Sequence, residues 1–263
     1  MRIVAYALVA GIAASASAHE TWIMPSSFTV KPGEDIRFDV SSGMAFPQLE
    51  SPIRTDRVAR AMYRLGPGHT SMKSMTPMET SLSIRQKLPQ AGVATVWLDL
   101  DPKEIVLDEK QVAEYLDEIG ATDELRSKCA ARKDKGTWKE TYTKHAKTFV
   151  VVGEPGDDRS WAGSVGSPLE IVPVTSPFEA TAGGEVTVEL RVLGTPLAGL
   201  PVGVMVEGSA ERVFRTTGAD GRVTLPAARV GRALIFAVRL VPADDGSSWR
   251  SNFSTMTFAI RPN

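Results

Sequence analysis

Cysteine, histidine and long apolar runs are scarce in this 263-residue sequence, and each scarcity removes a class of protein. The single cysteine, Cys129, excludes an internal disulfide, so stability has to come from cores large enough to do without covalent ties. Its simplest reading is a small apolar residue on a helix. Three histidines, His19, His69 and His145, leave few ways to build an imidazole acid–base site. There is no G-x-S-x-G elbow, no H-E-x-x-H helix, no P-loop and no dinucleotide fingerprint, and that turns the expectation from catalysis to binding. The paired acids Asp157-Asp158 and Asp244-Asp245 sit in polar loops, where solvated turns explain them better than glycosidase geometry does. Lys and Arg number 30 against 31 Asp and Glu, so the basic face that a general nucleic-acid binder needs is missing. Beyond residue 18 nothing approaches the ~18 consecutive apolar residues of a membrane span.

What is present begins with a leader. Arg2 followed by the apolar run Ile3 to Ala14 and the small-residue site Ala16-Ser17-Ala18 reads as a secretory signal over residues 1–18, and the product is expected in the periplasm. Its removal takes Arg2 from the 30 basic residues and no acid, for a mature net charge of −2. Cleavage there makes His19 the first residue, with a free α-amino group beside its imidazole, a bidentate metal ligand.

From His19 to about Leu100 short strands alternate with turns: Phe28–Val30, the alternating Ile36, Phe38 and Val40, then Val58–Leu65, Thr80–Leu88 and Val93–Leu98. That spacing predicts a β-sandwich over residues 19–152. A helical insertion is expected within it at 103–146. Asp108 with Gln111 makes a capping box ahead of Val112, Tyr115, Leu116 and Ile119; Gly120 stops that helix, Thr122 or Asp123 caps a second, and Lys139–Ala146 is a third candidate. The run Arg126–Lys147 carries eight basic residues and reads as a solvated helical face, with His145 at the surface. Residues 153–167, rich in Gly and Pro, read as a linker. Residues 168–263 then repeat the strand-and-turn pattern, with a hairpin turn at Ala219-Asp220-Gly221, as a second Greek-key sandwich of immunoglobulin-like or transthyretin-like type. The fold class expected is mainly β, two sandwiches, the first with helices inserted.

Two features point to metal. The amine and Nδ1 of His19 suit Cu(II) and Ni(II), with Co(II) and Zn(II) less favoured. The second is His69-x-x-Met72-x-x-Met75-x-x-Met78, whose thioethers would favour Cu(I); its plainer reading is that one or two of these methionines fill gaps in the core.

The stretches Ala18-His19-Glu20-Thr21-Trp22-Ile23-Met24-Pro25, Gly43-Met44-Ala45-Phe46-Pro47, Tyr115-Leu116-Asp117-Glu118-Ile119-Gly120 and Thr217-Gly-Ala-Asp220-Gly221 carry a resemblance. The chain resembles the bacterial family described as the periplasmic component of cobalt/nickel uptake systems, similar to NikM-like proteins. That resemblance implies export, two β-sandwich parts and transition-metal acquisition, with the terminal histidine as first ligand and an inner-membrane metal transporter as partner. Members often carry a histidine before the Phe-Pro pair, where this chain has Ser41, Ser42 and Met44, and another where it has Arg239. The expected ligand set is therefore His19 with His69, Met44 or the Met72, Met75 and Met78 group, and the expected ion Ni2+ or Co2+, with copper as the alternative. The function expected is a non-enzymatic periplasmic metal-binding protein, and the alternative an envelope module that binds a protein or glycan without metal.

Overall fold

The computed structural model describes residues 19–132 and 137–263. The expected leader, and Lys133 and Lys135 of the basic run, lie outside them. The protein is mainly β, as the alternating patterns require, and three sheets organise it. A five-stranded sheet holds Glu20–Pro25, Asp35–Gly43, Leu82–Lys87 and Met75–Pro77 in that order, with Ser51–Pro52 on the side of Asp35–Gly43. A four-stranded sheet centres on Gly184–Val192. Between them runs a ten-stranded sheet, Val213–Thr216, Pro201–Val206, Gly231–Pro242, Trp249–Ile260, Trp138–Val152, Gly92–Leu100, Val58–Leu65 and Gly68–Ser71, with Lys103–Leu107 and Thr29–Val30 also paired to 138–152.

The two expected sandwiches therefore share one sheet. Strand 138–152 pairs in parallel with 249–260, from Glu140↔Trp249 to Thr148↔Thr257, and joins both halves through backbone hydrogen bonds. The halves bury opposite faces of that sheet. Phe38, Val40 and Leu82 meet Val96, Leu98 and Val150 in one core, while Ile171, Val188 and Leu225 meet Val204, Ile235 and Phe258 in the other. Strand 20–25 is buried along its whole length. Trp22 and Met24 pack on Leu234 and Phe236 of the other half, and Thr257 Oγ1 donates to the carbonyl of Ile23 at 2.7 Å.

Three expectations are corrected. Lys139–Ala146 is strand, not helix. Its threonines and aromatics prefer extended backbone, and a strand covered on both faces shows no alternation to read. The 153–167 segment is no free linker. Trp161 and Val165 are buried, Arg64 donates to the carbonyls of Ser160, Gly163 and Ser164, and Asp158 accepts from the Val93 amide at 2.8 Å. The Ala219-Asp220-Gly221 turn, with Gly221 at φ +75°, joins Val213–Thr216 in the large sheet to Arg222–Ala227 in the small one, and so is a crossover, not a hairpin.

The two expected helices form as Glu109–Glu118 and Asp123–Ala130. Asp108 accepts from the Gln111 amide and Gln111 reciprocates; Thr122 accepts from the Leu125 amide at 3.3 Å. Val112, Tyr115 and Leu116 lie on Trp138, Trp249 and Phe253, with Cys129 among them.

One turn runs against its residue. Leu193 and Gly194 join Gly184–Val192 to Thr195–Pro196 with φ of 48° and 81°, a two-residue turn that asks for Asn-Gly. Leu193 is 81% exposed and gains no packing in exchange. Leu193→Asn is expected to stabilise the protein by about 1 kcal/mol, read as a rise of roughly 2–4 °C in Tm; an unchanged or lower Tm would count against it.

Candidate ligand cavity at His19

A cavity of about 640 Å³ opens beside His19, where the five-stranded sheet, the large sheet and the first helix meet. Each contributes a wall. His19 directly precedes strand 20–25 and Ser42 lies near the end of strand 35–43, Arg54 and Arg57 come from the turn Thr55–Arg57 and the residue before it, and Lys103 from strand 103–107. Tyr142 and Lys144 lie two apart on strand 138–152 and so share a face. Tyr115 and Phe253 close the apolar side.

Charge here is lopsided. Lys144 is buried, its Nζ donating to the carbonyl of His19 and lying 5.4 Å and 5.2 Å from the Tyr142 and Phe253 ring centres. Burial pushes its pKa down to about 8, and Arg57 and Lys103 push the same way against Glu20 and Glu140. The acids behind the cavity are engaged. Glu20 is buried with its carboxylate on Arg212 at 2.8 Å, and Glu140 accepts from Tyr115 at 3.0 Å, from Trp138 Nε1 at 2.8 Å and from Ser251. Burial raises the pKa of both.

His19 is half-buried. Burial and then Lys144 lower its pKa, while Glu50 acts in the other direction, so its imidazole is neutral at pH 7. Glu50 is held by the amides of Met44 and Ala45 at 3.0 Å and 2.7 Å. The pairing of strand 20–25 with 35–43 ends at Glu20↔Gly43, which makes His19 and Met44 the next residues of the two strands. Met44 itself lines a different cavity, with Phe46, Met205 and Arg212.

The methionine run is dispersed. His69 is exposed on strand 68–71, its ring edge-on to Trp97 at 5.4 Å. Met72 is 1% exposed inside the core of the first half, Met75 packs against that core from the other sheet, and Met78 faces solvent. A three-residue spacing on extended chain alternates faces, and this run also passes from one sheet to another. Met72 and Met75 thus fill gaps in the core, the plainer of their two readings. None of the four lines the His19 cavity. Among the described residues no three His, Cys, Asp or Glu side chains stand together as a metal site.

His145, expected at the surface, is buried, with Nδ1 2.7 Å from Asp99 and Nε2 3.3 Å from Asn252. Nor is the basic run one solvated face. Lys144 and Lys147 are buried, and Arg126 and Lys128 pair with Asp117 and Glu124. Cys129 is buried and its thiol pushed up to about 11, chiefly by burial, the inert state expected of a core cysteine. Sequence reasoning missed Arg57, Lys103, Tyr142 and Lys144 as cavity residues. The signal available was the i, i+2 pair Tyr142 and Lys144, legible only once 138–152 is taken as strand.

A family model described as "Domain of unknown function (DUF4198)" matches residues 16–239. No curated protein matches the chain. Among solved structures, the D00-D0 domain of Intimin superposes over 90% of this chain and 98% of its own, at 9% identity and a TM-score of 0.21, too loosely to carry an argument.

Proposed function

The chain belongs to the DUF4198 family, a domain of unknown function, and from that premise we propose a task read from its own residues: a non-enzymatic periplasmic protein that binds a transition-metal ion at His19 and serves metal uptake through an inner-membrane transporter. The observation that carries the proposal is where His19 sits. It leads directly into a strand buried along its whole length, its carbonyl is held by Lys144, and its imidazole is neutral at the mouth of a cavity. A ligand on such a base is oriented before any ion arrives, which a histidine on a loose tail is not.

With the leader removed, the His19 amine and Nδ1 supply two nitrogen donors. The Glu50 carboxylate, whose charge acts on the imidazole, is a candidate oxygen donor. With the thioethers of residues 72–78 elsewhere, this donor set favours Cu(II) and Ni(II) over Cu(I). Lys144, Arg57 and Lys103 oppose a dication and set the affinity below that of an all-acid site.

The test compares protein beginning at His19, checked by intact mass, with protein that retains Ala18. Calorimetry with Cu2+, Ni2+ and Co2+ is expected to give a dissociation constant of about 1 μM or tighter for at least one ion, near 8 kcal/mol. Retention of Ala18 turns the amine into an amide and is expected to weaken that binding at least ~100-fold, about 2.7 kcal/mol. Equal binding by both proteins, or none by either, rejects the proposal.

A further inference from the structure

We propose that the His19 cavity is also the binding site of a small organic carboxylate with an apolar, ring-like body, a ligand the chain takes whether or not His19 holds a metal. The walls are of two kinds. Arg57, Lys103 and Lys144 converge on the cavity from three separate elements, and among the described residues no acid forms an ion pair with any of them. Asp56, the acid in the wall, is spent on Arg54 through Nε at 3.0 Å and a second hydrogen bond. Glu20 is spent on Arg212, and Glu140 on Tyr115, Trp138 and Ser251.

Donors are left over. Arg57 gives one nitrogen to the carbonyl of Asp101 at 2.6 Å, and its buried Nε–H meets no acceptor among the described residues. That Nε–H is closed off from solvent, so the guanidinium offers an incoming acceptor only its terminal nitrogens, one of which has no hydrogen-bond partner among the described residues. A carboxylate matches the guanidinium fork and adds the charge that three converging cations lack.

The other wall sets the body of the ligand. Tyr142 already has Arg57 and Lys144 within 5.6 Å and 5.4 Å of its ring centre, and Phe253, Tyr115, Ile105 and Leu107 continue the surface. Inorganic phosphate would leave that apolar wall and most of the 640 Å³ unused. A space of this size suits a ligand of drug-like dimensions, with few polar groups fixing its orientation.

The experiment is calorimetry at low ionic strength on metal-stripped protein beginning at His19, titrated separately with benzene-1,3-dicarboxylate, benzamide and inorganic phosphate. The dicarboxylate is expected to bind with a dissociation constant below about 1 mM, and benzamide and phosphate each at least ~10-fold more weakly. The exposed Lys103→Gln is expected to weaken dicarboxylate binding about 3- to 10-fold, and Arg57→Gln more, with thermal melts showing both variants folded. The Tyr142 and Phe253 ring proton shifts are expected to move on titration. Dicarboxylate binding weaker than about 5 mM overturns the proposal. So does benzamide or phosphate binding as tightly as the dicarboxylate, or both variants binding it as the parent protein does. Because the samples carry no metal, failure here leaves the His19 chelate standing, and failure of the chelate leaves this site standing.

Discussion

Replacing Lys147 by alanine is expected to cost about 3–5 kcal/mol of folding stability, because it strands a carboxylate inside the protein. Lys147 is 5% exposed and Glu170 2%. The ammonium donates to Glu170 and, at 3.1 Å, to the carbonyl of Ile171, tying the large sheet to strand Leu169–Pro173. Glu170 also gathers Ser164 Oγ and the amides of Val165 and Gly166 at 2.8 Å and 3.1 Å, which fixes the segment between the halves. Burial alone would raise the Glu170 pKa, but Lys147 and these donors outweigh it and hold the carboxyl below its ordinary value. The stability this group contributes is therefore complete above the unfolded-state pKa, near ~4.3, and is lost as pH falls through the folded value.

In Lys147→Ala the sign reverses. Glu170 without its cation has a raised pKa, so the deficit against the parent protein shrinks as pH falls towards about 5. Urea unfolding at pH 7 and pH 5 measures both quantities. Lys147→Met combined with Glu170→Gln is expected to cost about 1–2 kcal/mol less than Lys147→Met alone, since no charge is left stranded. A deficit under 1 kcal/mol for Lys147→Ala at pH 7 would place the pair in water and undo the argument.

Trp161→Ala is expected to destabilise by about 3–5 kcal/mol, the range for removing a buried aromatic from a close-packed core. The position is informative because its neighbours in sequence have the composition of a linker. In the structure the indole is 3% exposed, edge-on to Phe178 at 5.9 Å, with the Arg159 guanidinium 5.5 Å from its ring centre. Chemical unfolding followed by near-ultraviolet dichroism and by backbone signal should give coincident transitions at lower urea concentration. A loss below 0.5 kcal/mol, or two separated transitions, would show the segment to be a tether between independent domains after all.

How far the fold is legible in the sequence depends on whether each element's environment is one-sided. Val58–Leu65 was readable to the residue, and the capping box at Asp108 identified its helix, because a turn or cap states a boundary locally. Strand 138–152 was unreadable over its first ten residues, 138–147. Glu140, Lys144, His145 and Lys147 are buried there because each meets a partner far away in sequence, and periodicity carries no record of such partners. The segment 153–167 was misread for a related reason, since its order comes from Arg64, Asp99 and Glu170, which lie outside it.

For the site, His19 was legible from the chemistry of a new chain end, and its cavity was not. The cavity exists only where stretches distant in sequence meet, around residues 19, 42–57, 100–115, 142–144 and 253, and its cations look like an ordinary charged surface until their three elements are brought together. The methionine spacing misled in the opposite way. It is regular in sequence, but the chain there is extended and changes sheets, so regularity did not become proximity.

The parallel register of residues 140–148 with 249–257 has a consequence for synthesis. During translation, the middle strand of the large sheet waits through roughly a hundred residues with one edge bare, at an elongation rate of about 5–20 residues per second. For those seconds an unpaired ribbon is open to strands of neighbouring nascent chains, and a holding chaperone, or passage across a membrane before folding, would shield it. A stop codon ahead of Trp249 would make that interval permanent, and its product belongs with the aggregates.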